Sequence, residues 1–389
     1  MLLRSSFFRN LVIASMSFAI LQLASPTWAI PIWEQTVVTP EDNVICQFPI
    51  NKSGDLLLVP VLIEGKRYEF IIDTGATTTA LDKSLLTGQP QHVVTIETPT
   101  GSIKQELFDG PVLRFGKIET KRKMPVVAVD LALLRQASGY SVMGVIGLDI
   151  LSQYVIRLDF KNGMLEFLKQ AGKLKGEPFQ LTVRREGVSL NAHIKGLQSP
   201  ISFLVDTGTT IYGSVNSEIA TTLEQQHAGQ RVEGAFSAGV NGVKKHNKWL
   251  IHSLSLGNTS HPEVVLIQSR DNILGLGFLS QFELTLDFAH SQAYLVPSPA
   301  LERGQLMDRS GLHLLRIDGY TMVHSIDQAS RSAVADIKEG DRILSINNVN
   351  AEQFTMLETR RLLSSKSKLV NLLISRGGII LSKSLNLAD

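Results

Sequence analysis

The sequence predicts a mainly β protein, with two related β lobes followed by a small α+β domain. Three observations carry this prediction. A segment ending in Asp-Thr-Gly occurs twice, FIIDTGATTTAL at residues 70–81 and FLVDTGTTIYGSV at residues 203–215. A second segment repeats without a gap, VIGLDILSQYVIRLDF (145–160) against ILGLGFLSQFELTLDF (273–288). Residues beyond about 311 follow a different pattern, with strand-like and helix-like runs intermixed.

Each repeat copy reads as short β runs. LLLVPVLI, YEFIID, HVVTIET, MPVVAVD and YVIRLDF are rich in Val, Ile and aromatic residues, and Gly, Pro and Asn punctuate them. DLALLRQA and SEIATTLEQQ read as helices. Two copies of this size make a duplicated domain rather than a solenoid. The expected boundaries are lobe one at 54–170, lobe two at 171–297, a linker at 298–310 and the third unit at 311–389. In the third unit, strands are expected at LHLLRI, MVHSI, LVNLLISR and IILSKSL, with one helix over 351–365.

The N-terminus reads as a targeting segment. Arg4 and Arg9 precede the apolar run LVIASMSFAILQLA, and SPTWA offers a cleavage position after Ala29. Residues 1–29 are thus expected to be a signal peptide and 30–53 an extension, with the body outside the cytoplasm, periplasmic or secreted. Membrane attachment is expected only if this segment stays uncleaved. The single cysteine, Cys46, rules out an internal disulfide. Nine histidines show no ligand spacing, so neither metal nor other cofactor is expected. Net charge is +2 with scattered Lys and Arg, which gives no basic stripe for nucleic acid.

The Asp-Thr-Gly pair carries the chemistry. Asp73 and Asp206 lie 133 residues apart, and the apolar-apolar-Gly segment follows 74 residues after the first and 69 after the second. If identical loops meet about a pseudo-twofold axis, the two carboxylates face each other. Two carboxylates in contact share one proton, so one is a base and the other an acid. A water between them can then attack a carbonyl without a metal. Gly75 and Gly208 permit the turn, Thr74 and Thr207 can bond across the axis, and Thr209 can donate to Asp206 where Ala76 cannot donate to Asp73. Fewer bonds to Asp73 would leave it less acidic and give a less acidic pH optimum.

On these residues the two halves resemble retropepsin-like aspartic protease lobes, fused so that one chain supplies both aspartates. The resemblance covers about residues 54–297 and implies a polypeptide substrate, a catalytic pair in Asp73 and Asp206, and a monomer that is an internal pseudo-dimer. It implies structural support of the loops by Ile146 and Gly147 and by Leu274 and Gly275. It also implies β-hairpin flaps, for which the candidates are residues 95–106, turning at Thr100 and Gly101, and 234–247, turning at Asn241 and Gly242. Asp149 aligns with Gly277 and is not expected to be catalytic.

The third unit resembles a PDZ domain. Gly311, Leu312, His313 and Leu314 stand at the carboxylate-binding loop, and 351–365 at the groove helix. This resemblance implies a peptide ligand added as a strand. His313 stands where a second Gly is usual, which argues against capture of a terminal carboxylate. Two rival readings are a catalytically silent peptide-binding scaffold and an actin-like or sugar-kinase ATPase, whose phosphate loop also has Asp-x-Gly-Thr. Duplication of the motif and the export signal oppose the ATPase.

Overall fold

A computed structural model describes residues 43–98, 101–171, 176–184, 187–239, 242–298, 305, 307–364 and 369–388. The proposed signal peptide lies outside the described residues, as do Thr100 and Asn241. The described chain is mostly β, arranged in four sheets, the last of which belongs to the C-terminal unit. Among the described residues no helix is long and apolar enough to cross a membrane.

The two repeat copies build similar sheets. In the first, Lys66–Ile72 runs from an exposed start into a fully buried end that delivers Asp73. It is flanked by Leu58–Ile63 on one side and by the parallel strand Val142–Ile146 on the other. Val142–Ile146 also pairs antiparallel with Ala80–Asp82. In the second, Ile201–Val205 delivers Asp206 and pairs with the parallel strand Ile273–Leu274, which pairs antiparallel with Gly213–Val215. Both apolar-apolar-Gly segments thus thread between the strand entering the Asp loop and the strand leaving it.

A six-stranded sheet joins the copies. Val155–Asp159 pairs antiparallel with Phe282–Asp287, and the register is centred on Arg157 opposite Thr285. These two residues hold the same place in the repeat. Beneath this sheet Phe167 meets Phe48, Phe115 and Tyr154 edge-on, in one apolar core that runs through both copies. The 30–53 segment needs correction as an extension. Val44–Pro49 pairs with Met164–Leu168 and forms an edge of this sheet, because Cys46, Phe48 and Ile50 are apolar and bury against it.

Both flap candidates are hairpins. His92–Thr98 pairs with Gly101–Asp109, so Gly101 opens the return strand. Gly229–Gly239 pairs with Gly242–Leu256, so Gly242 does the same. The helices of the two copies fall where expected, at Ala132–Ser138 and Ser217–Gln225.

The C-terminal unit has its own core around Leu314, Ile343, Ile346, Leu372 and Ile374. Its main strands run in the order Leu312–Ile317, Tyr320–Ile326, Arg342–Ile346, Val370–Arg376 and Ile379–Leu385, which leaves the first at an edge. The single helix expected over 351–365 is broken into a short turn at Ala351–Gln353 and a helix at Met356–Ser364. Thr355 causes the break by capping the second piece. The N–H of Glu358 donates to Thr355 Oγ1 at 3.1 Å, and the N–H of Thr355 donates to Glu358 Oε2 at 2.8 Å. The unit also starts before 311, since Ser310 is fully buried and Asp308 accepts from the loop that follows. Gln305 is pinned to the second copy, donating to Val265 O at 2.9 Å and accepting from its N–H at 2.7 Å.

Candidate active site

Each Asp-Thr-Gly loop is tied to the segment threading beneath it by matching bonds. Asp73 N–H donates to Ile146 O, and Asp206 N–H donates to Leu274 O, both at 3.0 Å. Leu148 N–H donates to Ala76 O, and Leu276 N–H donates to Thr209 O, both at 2.8 Å. Gly147 and Gly275 are required here by close approach. A methyl on Gly147 would lie 2.8 Å from Ala76 O, and one on Gly275 2.4 Å from Ile211 O.

The two loops, 133 residues apart, then bond to each other. Thr74 Oγ1 donates to Val205 O at 2.5 Å and accepts from the Thr207 N–H at 3.1 Å. Thr207 Oγ1 donates to Ile72 O at 2.8 Å and accepts from the Thr74 N–H at 3.0 Å. Both threonines are 1% exposed, so water cannot substitute for these partners. The arrangement brings the carboxyls of Asp73 and Asp206 together, each over the other loop's glycine. A methyl on Gly208 would sit 2.2 Å from Asp73 Cγ, and one on Gly75 2.6 Å from Asp206 Cγ.

Residues 59–150 match the family of aspartyl proteases. The matched span contains Asp73, Ile146 and Gly147, and ends before the second Asp-Thr-Gly. Residues 305–375 match the PDZ domain. No curated protein matches the chain. The chain therefore joins an aspartyl protease-like domain to a PDZ domain.

Electrostatics divides the two acids of the aspartyl protease-like site. Loss of water raises both carboxyls above the ordinary range. Asp206 rises well above it, because after burial its next largest influence is the charge of Asp73. Asp73 Oδ1 accepts from the N–H groups of Gly75 at 2.7 Å and Ala76 at 3.1 Å, and the Gly208 N–H also lowers it. Asp206 Oδ1 accepts from Gly208 at 2.8 Å, with the Thr209 N–H assisting. The backbone donors thus favour the charged form more at Asp73 than at Asp206. This corrects the expectation that Asp73 has fewer bonds. The Ala76 backbone supplies what its side chain lacks, and the Thr209 hydroxyl instead accepts from the Ile211 N–H at 3.5 Å.

Asp149 lies outside the pair. It accepts from the Thr79 N–H and hydroxyl, the latter at 2.7 Å, and Thr79 Oγ1 in turn accepts from the Gly147 N–H at 3.2 Å. Its task is to hold the threading loop. Asp149→Asn keeps an acceptor oxygen for Thr79, so we expect kcat/KM against a cleaved peptide to stay within about tenfold of wild type. A loss comparable to that of Asp73→Asn would place Asp149 among the reacting groups.

Among the PDZ residues, Gly311 has φ +71°, and a methyl there would meet Ser330 Cβ at 2.4 Å. Leu312 and Leu314 point into the core, while His313 Nε2 lies 3.1 Å from Asp327 Oδ1. Sequence reasoning did not single out Asp308, Ser53 or Arg360. Each is an ordinary surface residue type; Ser53 and Arg360 find their partners in another element, whereas Asp308 bonds Ser310 and Gly311 just after it. Among the described residues no group of three or more His, Cys, Asp or Glu side chains could hold a metal.

Proposed function

We propose that this protein is an exported aspartic endopeptidase. In this reading Asp73 and Asp206 are the catalytic pair, the two repeat copies are pseudo-twofold lobes, and the hairpins at 92–109 and 229–256 close over a bound polypeptide. The supporting observation is the placement of two mutually bonded carboxyls on loops locked by reciprocal threonine bonds.

In this reading Asp73 is charged and Asp206 protonated, which fixes the proton balance. A water oxygen bonds to the scissile carbonyl carbon as one of its protons passes to Asp73. Asp206 gives its proton to the carbonyl oxygen, leaving a neutral gem-diol. The C–N bond then breaks as Asp73 returns its proton to the nitrogen and a diol proton restores Asp206. The products are a carboxylic acid and an amine, and the pair ends as it began. Neither a metal nor a covalent intermediate is needed.

The test is incubation of residues 30–389 with a mixed peptide library from pH 3 to 8, with and without a statine-type transition-state mimic. We expect internal cleavage that the mimic abolishes, with a maximum above pH 3, because Asp206 holds its proton well above the usual carboxylate range. A rate still rising as pH falls to 3 contradicts the charge assignment. Absence of cleavage at every pH contradicts the peptidase reading. Export is tested by finding mature protein, beginning near Ile30, outside the cytoplasm.

A further inference from the structure

A PDZ domain takes its ligand as an added strand between an edge strand and a helix. Here those elements are Leu312–Ile317, at the edge of its sheet, and Met356–Ser364. Helix Ala132–Ser138 of the aspartyl protease-like domain packs against both. It ends in the groove: Gly139, with φ +77°, closes the helix so tightly against the PDZ domain that a methyl there would lie 3.1 Å from Met356 Cγ and 3.9 Å from Arg316 Nε.

The groove helix holds this contact with two arginines. Arg360 Nη2 donates to Ala137 O at 2.6 Å, at the carbonyl end of the docked helix. Its charge also faces Asp55 and Tyr140, which bond each other at 2.7 Å. Arg361 donates to Ser53 Oγ at 2.6 Å and to Ser53 O at 2.8 Å. On its other side the docked helix is anchored in its own domain by Arg135, which donates to buried Asp82 at 2.7 Å and to Val142 O at 3.0 Å.

The loop that would receive a chain terminus is already satisfied. The N–H groups of Ser310 and Gly311 donate to the Asp308 carboxylate at 3.2 and 2.8 Å. The Leu312 N–H donates to Ser310 Oγ at 3.0 Å. A terminal carboxylate would meet spent donors and the negative charge of Asp308.

We propose that the PDZ groove is occupied in cis by helix Ala132–Ser138, and that the competitor able to displace it is an internal extended segment of a polypeptide, not a free C-terminus. Binding of that segment and docking to the aspartyl protease-like domain exclude one another. The docked helix also borders Gly229–Gly239, the first strand of the second hairpin. Undocking therefore removes a neighbour of the structure read above as a flap. This last consequence rests on the peptidase reading; the docking does not.

Hydrogen exchange on the full chain tests the docking without any activity readout. In Arg360→Ala/Arg361→Ala we expect exchange at 131–140 and at 312–317 to rise together by about tenfold or more, while Val370–Arg376 in the PDZ core stays protected. If the double variant unfolds the PDZ domain, Ser53→Arg opposes Arg361 from the other side and gives the same expected result. Unchanged exchange at either segment in a folded variant overturns the proposal. For the ligand, random hexapeptides carrying a C-terminal amide or a free carboxylate are offered to the undocked variant in an Asp206→Asn background, which prevents cleavage of the probe. Greater retention than by the docked Asp206→Asn chain, with amides held as well as acids, supports the proposal. Equal retention by docked and undocked chains, or a requirement for the carboxylate, overturns it. Absence of peptidase activity in the wild-type chain would count against the enzyme reading and leave the exchange result standing.

Discussion

Asp206→Asn is expected to lower kcat by at least about 10³-fold with little change in KM, and Asp73→Asn to do the same. The two acids act as one unit. Asparagine at 206 has no acidic proton for the carbonyl oxygen, and asparagine at 73 cannot accept one from water. Both side chains keep their shape, so the substrate still binds. Appreciable turnover in either variant would end the proposed mechanism. The same substitution at 206 should make the fold more stable at neutral pH. The folded carboxyl is raised well above its ordinary value of 3.8. Between that value and its raised one, the folded state holds a proton that the unfolded state has released. Stability therefore falls as pH rises through this window. The amide carries no such proton and loses that slope. Thermal melts of both chains from pH 4 to 8 should separate as pH rises, with the variant melting higher by about 2–4 °C for each kcal/mol released. Parallel curves would mean that Asp206 is not strained by its charge.

The second large effect is expected at the threonines that lock the loops. Thr207→Val strands the Ile72 carbonyl and the Thr74 N–H, and Thr74→Val strands the Val205 carbonyl and the Thr207 N–H. All four groups lie where water does not reach, and each costs about 1–3 kcal/mol when unpaired. Either substitution should therefore cost about 2–6 kcal/mol in urea denaturation. Any remaining activity should fall about 10²-fold, because the carboxyls depend on the loops for their mutual placement. Thr207→Ser restores the hydroxyl and should recover most of both losses. If valine costs less than about 0.5 kcal/mol, the reciprocal bonds are not what holds the two loops together.

These outcomes sort the two carboxyls by partner rather than by sequence position. Ala76 and Thr209 differ in side chain, yet the difference that matters is the number of backbone N–H groups reaching each carboxylate. Side-chain identity alone pointed the wrong way.

The strands delivering Asp73 and Asp206 and both hairpins were readable because their signals are local, whereas the threading of Ile146-Gly147 and Leu274-Gly275 was implied by the family resemblance. The local signals are apolar alternation, turn residues and an ungapped repeat. Val44–Pro49 was harder to read, since its place is set by Met164–Leu168, more than a hundred residues away. The broken helix near Thr355 shows the opposite failure. The capping pair Thr355 and Glu358 was present in the sequence, and helical periodicity across 351–365 hid it.

By itself, the sequence determined that two Asp-Thr-Gly turns exist, each at the end of an apolar strand and each followed at a similar distance by an apolar-apolar-Gly segment. It also determined that a separate α+β unit follows. Neighbouring residues suffice for these features, because strand formation and turns depend on short-range sterics and on which face is apolar. Only the tertiary structure decided that the two carboxyls lie together out of water, that Thr74 and Thr207 lock their loops to each other, and that helix Ala132–Ser138 packs against Leu312–Ile317 and Met356–Ser364. Each depends on desolvation and on bonds between groups far apart in the chain, and no local pattern encodes those.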